Sequence, residues 1–411
     1  MTSEQIKKYY DLILSVGVNL YKGQILAISS GVMNQEFVYG LADEAYKRGA
    51  KFVDVSFNSN RLTKSRIQNS VDEEYLSYIP NYPVGKSFEM ISNDTAYVRI
   101  DNLEEIDVME GIDPNRYETM IREEQRHSKI MSKAVSSARI PWCIVGVPGP
   151  MWAARTLGRE TSEKTTEEFS GKLAKVLRLD KPDPTAEWTA FGNKLVERAA
   201  RLTSMQLQRL VFEGPGTNLE IALNDNSLWK GGFTKAQNGR MFIPNLPTEE
   251  VFTAPDYRKT NGRVAVTKPV KVLEHQIRGI WFEFRDGKVV DFGSDNHTLI
   301  LEKFLNTDEG SRRLGEVALV DTDSEVHKSG LIFNSILFDE NAACHIALGR
   351  GITMCFTNSE ELLTPEDMLA NGCNDSHVHT DFMIGSPEVS VTGYYKDGKE
   401  VPVIVKGKFV L

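Results

Sequence analysis

Two histidines and an aspartate alternate along the segment NDSHVHTDFM, residues 374–383, as His377, His379 and Asp381. In an extended strand, alternate side chains point to the same face of the sheet. Neutral imidazole and carboxylate groups are ligands that suit zinc, cobalt or manganese. Because the chain has only 7 histidines, this spacing predicts one half of a metal site. The alternative is a half-exposed strand that binds no ligand.

Two earlier segments carry acidic residues beside apolar runs. Glu249 and Glu250 are adjacent in PNLPTEEVFTAPD, and neighbours in a strand face opposite ways. A solvated acidic loop is the simplest interpretation, although the Val-Phe pair that follows indicates a nearby core. Glu316 in RRLGEVALVD opens an apolar run, where a buried carboxylate is unfavourable unless it is paired or binds a metal. From this segment alone, an exposed strand end is the favoured interpretation.

A further segment, FDENAACHIALGRG, places Glu340 five positions before His345. In a helix that spacing separates two side chains by about 140° around the axis, so a turn is needed to bring them together. A histidine in front of an apolar run is more often part of the core. All the segments together, however, hold more carboxylates than a structural zinc site uses. They predict a pair of divalent ions that share a bridging carboxylate, as in hydrolytic two-metal sites.

The composition is that of an ordinary globular protein, with 411 residues, 41% hydrophobic residues and a net charge of −9. The length predicts two domains, and the negative charge does not favour nucleic acid as a partner. The sequence has no apolar run long enough for a membrane span and no secretory signal at its start. The 4 cysteines form no C-x-x-C pair, which predicts reduced thiols and a cytoplasmic location.

Helical and strand patterns alternate through the first part of the chain. GQILAISS and KFVDVSF flank a helical segment, which predicts a βαβ unit and a parallel sheet. Beyond LDKPDPTAEW the sequence becomes rich in strands, with hairpin signals at Asp286-Gly287 and Asp397-Gly398. We therefore predict an α/β domain with a mainly parallel sheet at residues 1–185. We expect residues 186–411 to form a β-rich α+β domain that carries the metal site.

Four motifs closely resemble, in this order, the aminopeptidase T and aminopeptidase S family of bacterial metallopeptidases: NLPTEEVFTAPD, GEVALVD, DENAACHIALGRG and NDSHVHTDFMIGSPEVSVTG. GPGTNLEIAL at residues 214–223 matches as well, and the resemblance covers essentially the full length. It implies a cytoplasmic, two-domain, homodimeric exopeptidase. Such an enzyme removes N-terminal amino acids from peptides with two divalent ions, usually zinc or cobalt.

The resemblance also implies roles for individual residues. It implies six metal ligands, which are Glu250, Glu316, Glu340, His345, His379 and Asp381. His377 stands where family members carry an apolar residue, so we expect it to be a neighbour of the site and not a ligand. Ile352 stands where many members carry a tyrosine, so a phenol hydroxyl near the substrate is missing. Glu249 is the expected general base by analogy with adjacent glutamates in other two-metal aminopeptidases, although a strand would turn it away from Glu250.

These expectations lead to one predicted function and two alternatives. We predict a metal-dependent aminopeptidase in which water activated by two metal ions releases the first residue of peptides with a free N-terminus. One alternative is a metal-dependent amidase or deacylase that acts on a non-peptide substrate, because the ligands alone do not set specificity. The other is a non-catalytic relative that binds metal or peptide, with Ile352 as a sign of drift.

Overall fold

The fold is known from a computed structural model, which describes residues 1–273 and 275–411. The chain forms two compact units. The first contains residues 1–190 and 233–247, and the second contains residues 191–232 and 248–411. The segment 233–247 thus packs with the first unit, although it follows part of the second in sequence. The division into domains at residues 185 and 186 stays a prediction, because a compact unit is not by itself an independently folding domain.

The first unit is built on a five-stranded sheet in which every neighbouring pair of strands is parallel. In sheet order, the strands are Phe52–Asn58, Ile25–Gly31, Ala96–Ile100, Trp142–Val145 and Asn245–Leu246. The first four match the predicted alternation of strand and helix. The parallel sheet predicted for the first part of the chain is therefore confirmed.

The helices of the first unit have sequence-encoded starts. Thr2 and Gln5 form a capping box, in which each side chain accepts the other residue's backbone N–H, and the helix Ser3–Leu12 begins there. A π-helical turn, Ile13–Gly17, extends this helix. The other α-helices of this unit are Gln35–Lys47, Asn60–Asn69, Glu73–Ser77, Tyr82–Ser92, Pro114–Ser136, Pro150–Leu157 and Glu163–Val176. Two 3-10 helices, Val32–Asn34 and Ile106–Met109, and a short hairpin, Thr234–Lys235 with Met241–Phe242, complete the unit.

The second unit contains a large antiparallel sheet of eight strands. In sheet order, these are Lys288–Gly293, Trp281–Arg285, Pro255–Ala265, Thr217–Leu223, Arg209–Gly214, Ser390–Tyr394, Glu400–Val405 and Lys408–Phe409. Both predicted hairpins occur in it. At the first, Asp286 and Gly287 have φ values of 49° and 78°, as the tight turns that join antiparallel strands require.

A separate four-stranded antiparallel sheet carries the predicted ligands. Its first to fourth strands, in both sheet order and chain order, are Glu250–Thr253, Leu314–Val320, His345–Gly349 and His379–Met383. One face of this sheet packs into the main hydrophobic core of the unit. The residues that it contributes to the core include Val251, Leu314, Val317, Leu319, Ile346, Leu348 and Phe382. Because side chains alternate along each strand, the other face is left for the polar residues.

Shorter elements connect these sheets. The α-helices are Pro184–Met205, which contains the sequence boundary between the units, Thr298–Leu305, Glu325–Ser329, Ile336–Asp339 and Pro365–Ala370. The 3-10 helices are Gly310–Arg312, Glu340–Ala342, Thr353–Cys355 and Ser359–Glu361, and Val270–Val272 pairs with His275–Ile277. All four cysteines are buried free thiols. No helix in the described part of the chain is long and apolar enough to cross a membrane.

Candidate metal centre

The register of the four-stranded sheet brings polar residues from distant segments onto one face. Glu316 in the second strand lies opposite Ala347 in the third, and Ala347 lies opposite Asp381 in the fourth. His345 lies opposite Ala318 of the second strand. Directly opposed residues share a face of the sheet. The small side chains of Ala318 and Ala347 therefore lie between the acidic and imidazole groups, where larger ones would fill the space.

Two groups of potential ligand atoms form on this face. The first contains Glu250, Glu316 and His345, and the second contains Glu316, His379 and Asp381; within each group the ligand atoms lie within 4.8 Å of one another. Glu316 belongs to both. Its Oε1 lies 4.0 Å from Nε2 of His345, whereas its Oε2 lies 3.2 Å from Nε2 of His379. The two oxygens of one carboxylate thus face two different groups.

Backbone carbonyls fix the orientation of both histidines. Nδ1 of His345 lies 3.1 Å from the carbonyl oxygen of Ala343, and Nδ1 of His379 lies 2.7 Å from that of Arg350. A carbonyl oxygen only accepts, so each Nδ1 carries the hydrogen and donates it. In a neutral imidazole the Nε2 lone pair is then free to bind a cation. This arrangement is the usual support for metal-binding histidines.

The carboxylates outnumber the groups that can balance their charge. Burial, the largest influence, raises the pKa of Glu316, and the Asp381 and Glu250 charges add to this rise. Burial opposes protonation of His345, but the Glu250 carboxylate beside it, together with the Asp381 and Glu316 charges, outweighs that effect and raises the pKa of His345 to about 10. The His379 side chain is 34% exposed; its partial burial opposes protonation, yet Asp381 and Glu316 raise its pKa well above the ordinary value. The face therefore attracts positive charge strongly.

A buried oxygen without a partner marks a place for a cation. Oε2 of Glu250 lies 3.1 Å from Nε2 of His345, which carries no hydrogen in a neutral ring that is protonated at Nδ1. Beside such a neutral ring, Oε2 has no hydrogen-bond donor within residues 1–273 and 275–411. An orphaned buried carboxylate oxygen is unfavourable. Together with the oxygen and imidazole donors around it, this oxygen fits a divalent metal ion.

Glu340 lies near these groups but belongs to neither of them among the described residues. The predicted turn exists: the 3-10 helix Glu340–Ala342 separates Glu340 from the strand that begins at His345. Burial and then the Glu250 and Asp381 charges raise the pKa of Glu340 well above the ordinary value. The carboxylates of both ligand groups therefore act on its carboxyl group. Its assignment as a ligand stays a prediction.

The two glutamates of the TEEVF segment have different surroundings. Both are buried, at 3% exposure for Glu249 and 6% for Glu250, so the solvated-loop interpretation was wrong. Oε2 of Glu249 accepts a hydrogen bond of 3.2 Å from the backbone N–H of Glu325, at the start of the helix Glu325–Ser329. Of these two glutamates, Glu250 alone belongs to a ligand group within the described part of the chain. The assignment of Glu249 as the general base stays a prediction.

Glu316, His377 and Ile352 were also singled out in the sequence, and the structure shows where each lies. Glu316 is 5% exposed in the middle of its strand, so the exposed strand end favoured by its own segment was wrong. His377 precedes the fourth strand, is exposed and belongs to neither ligand group. Ile352 is partly buried and packs against an apolar cluster that includes Cys355 and Phe356. Sequence reasoning missed Ala347, since an alanine by itself does not indicate a metal site.

The comparisons with known proteins agree with this chemistry. The family described as thermophilic metalloprotease (M29) matches residues 2–409. Aminopeptidase 2 of Geobacillus stearothermophilus is 35% identical, covering 99% of this chain and 98% of its own. Aminopeptidase T of Thermus aquaticus is 34% identical, covering 100% and 99%. The solved structure of wild-type AmpT from Thermus thermophilus matches with a TM-score of 0.92 and 32% identity over 99% of both chains.

The class defined by these findings is that of the metal-dependent peptidases. The chain belongs to the thermophilic metalloprotease family (M29), along essentially its whole length. The metal requirement predicted from the motifs is confirmed at the level of the family, and so is the resemblance to aminopeptidases T and S.

Ala347→Val tests whether space on the ligand face matters. The two added methyl carbons would point between Glu316 and Asp381, and we expect metal affinity to fall about 10-fold or more, the lower end of effects seen for residues that support ligands. Isothermal titration of metal-free protein with zinc measures this. Ala199→Val is the matched control, because Ala199 is buried in the core of the same unit. Unchanged zinc affinity in Ala347→Val would show that the ligand face accommodates the larger side chain without disturbing the ligands.

Proposed function

We propose that this metalloprotease is an aminopeptidase that works with two divalent cations, which are zinc, cobalt or manganese. One observation carries the proposal: the two oxygens of Glu316 face separate groups, each completed by a histidine and a second carboxylate. Glu250, Glu316 and His345 would hold one cation, and Glu316, His379 and Asp381 the other, with Glu340 as a further ligand. The aminopeptidases that match the chain end to end support the same activity.

Bound divalent cations supply Lewis acidity and lower the pKa of water from 15.7 toward about 7. The residues of the chain prepare the site for this chemistry. The Ala343 and Arg350 carbonyls hold the Nε2 atoms of His345 and His379 toward the ligand face. A carboxylate must also accept a proton from the attacking water and pass it to the leaving amine. We assign this step to Glu249, whose Oε2 also accepts the Glu325 N–H.

A free N-terminus distinguishes the substrate that an aminopeptidase selects. The pKa of an α-amino group is about 8, so a neutral amine with a lone pair is accessible near neutral pH, whereas the amide nitrogen of an N-acetylated peptide has no such lone pair. Two divalent cations would offset the charge of the carboxylates that three strands present, so we assign the amine to one of the cations or to a nearby carboxylate. The substrates are therefore peptides with an unblocked first residue.

Release of free amino acids from unblocked and N-acetylated dipeptides tests the proposal. The dipeptides form matched pairs, assayed with zinc, cobalt or manganese and with a chelator. We expect cleavage of the unblocked member only, lost with chelator and restored by metal. Cleavage of both members would point to an amidase or deacylase instead. No cleavage by protein that holds two cations would point to a binding protein.

The assembly, location and domain structure are proposals that rest on the sequence. We propose a homodimer in the cytoplasm, as the resemblance implies, built from domains at residues 1–185 and 186–411. Light scattering after size-exclusion chromatography measures the mass in solution. Limited proteolysis followed by unfolding measurements on the fragments tests whether each domain folds alone.

A further inference from the structure

The two strands that supply most of the first ligand group are not hydrogen-bonded neighbours in the sheet. Glu250 begins the first strand and His345 begins the third. Each pairs with the second strand, which lies between them and carries Glu316. Both run antiparallel to that strand, so they are parallel to each other and begin at the same end of the sheet. Glu250 and His345 are the first residues of their strands, where contacts from the preceding segments can add to the pairing in fixing their positions.

The side chain of Asn341 makes a hydrogen bond at this end of the sheet. Its Oδ1 accepts a 2.6 Å hydrogen bond from the backbone N–H of Glu249, the residue before Glu250. Asn341 itself lies four residues before His345 and is completely buried. The bond therefore joins the segment that leads to Glu250 with the segment that leads to His345, across the strand that separates them.

Further contacts hold Asn341 itself in place. Its Nδ2 donates to the carbonyl oxygen of Leu337 at 2.9 Å and lies 3.5 Å from Oε1 of Glu340. Its backbone carbonyl accepts a 2.7 Å hydrogen bond from Oγ of Ser324. The backbone partners fix the orientation of the amide, because the Glu249 N–H only donates and the Leu337 carbonyl only accepts. An aspartate lacks the required donor, and an aliphatic residue lacks both groups.

We infer that Asn341 is a positioning residue for the cation held by Glu250, Glu316 and His345, and that it has no such role for the other cation. The inference rests on the proposed two-cation function. The second group draws on the second and fourth strands. Among the described residues, the side-chain hydrogen bonds of Asn341 go to Glu249, Leu337 and Glu340, none of which lies in the fourth strand. Loss of the Asn341 amide should therefore lower the affinity for one cation and leave the affinity for the other unchanged.

The test is a titration of metal-free protein with Co²⁺, followed by the visible absorption of the bound ion and by competition with a chromophoric chelator. The parent protein should bind two equivalents. Asn341→Ala should bind one equivalent with parental affinity and the other about 10- to 100-fold more weakly, the range typical for residues that orient ligands. Asn34→Ala is the matched control, because Asn34 is also a buried asparagine but belongs to the first unit.

Two reference variants identify the cation that is lost. Glu250→Ala removes a ligand of the first group alone, and His379→Ala removes one of the second group alone. At one equivalent, the Co²⁺ spectrum of Asn341→Ala should match that of Glu250→Ala and differ from that of His379→Ala. If Asn341→Ala does not fold, Ser324→Ala takes its place, because it removes the hydrogen bond to the Asn341 carbonyl and should weaken the same cation.

The outcomes separate this inference from the proposed function. A parent protein that binds fewer than two cations would contradict the proposed two-cation function itself. A parent that binds two, with an Asn341→Ala variant that also binds two at parental affinity, would overturn the role of Asn341 alone. An equal loss of affinity for both cations would overturn it as well, because that result indicates a general loss of packing. It would not indicate selective positioning of one cation.

Discussion

Replacing Glu316 by glutamine is expected to lower kcat/KM for an unblocked dipeptide by at least about 1,000-fold, or about 4 kcal/mol of transition-state stabilisation. Glu316 is common to both ligand groups, so its replacement should lower the affinity of the protein for both cations. Glutamine keeps the size and one oxygen of the side chain but loses the charge and the second anionic oxygen. Glu250→Gln and Asp381→Asn each alter one group and should leave one cation bound.

The measurement combines kinetics with metal analysis of the same protein samples. Zinc content by mass spectrometry after gel filtration should fall from two per chain to below one in Glu316→Gln. Glu302→Gln is the control, because Glu302 is an exposed glutamate on a helix of the same unit. A Glu316→Gln variant with two tightly bound zinc ions and parental kcat/KM would exclude Glu316 as the shared ligand.

Local sequence patterns predicted most of the architecture. Strand and helix periods in the first part of the chain indicated the parallel sheet, because a βαβ unit requires parallel strands. The Asp286-Gly287 pair predicted a hairpin, since those residues tolerate the positive φ values observed there. The strand Asn245–Leu246, which joins the first sheet from a distant part of the sequence, had no local signal. Two residues are too few to show a period.

The site was predictable in its ligand types but not in its geometry. The exposure of Glu316 was misjudged because a single segment does not show which strands will cover it. In the fold, strands on both sides bury it. The irregularity in pairing between Leu314 and Glu316 also helps to set the register that places Ala347 between Glu316 and Asp381. Contacts such as that of Asn341 with Glu249, 92 positions apart, depend on the completed fold.

Removal of metal is expected to lower the melting temperature of the second unit by roughly 10 °C, an estimate for a cation concentration about 1,000-fold above the dissociation constant, where binding adds about 4 kcal/mol. Cations that bind only the folded state stabilise it by mass action. Without them, the carboxylates of the ligand face repel one another in a buried position. Differential scanning calorimetry with zinc and with chelator measures the change, and re-addition of zinc should reverse it.

Glu316→Gln separates metal stabilisation from charge repulsion in the same experiment. Burial raises the pKa of Glu316 in the folded protein, so the folded state binds that proton more tightly than the unfolded state does. Ionised Glu316 therefore destabilises the metal-free fold as the pH rises above its unfolded pKa, and glutamine removes this penalty. We expect metal-free Glu316→Gln to melt at a higher temperature than the metal-free parent and to gain little from zinc. If zinc stabilised both proteins equally, the stabilising cations would lie away from Glu316, and the candidate centre would be wrong.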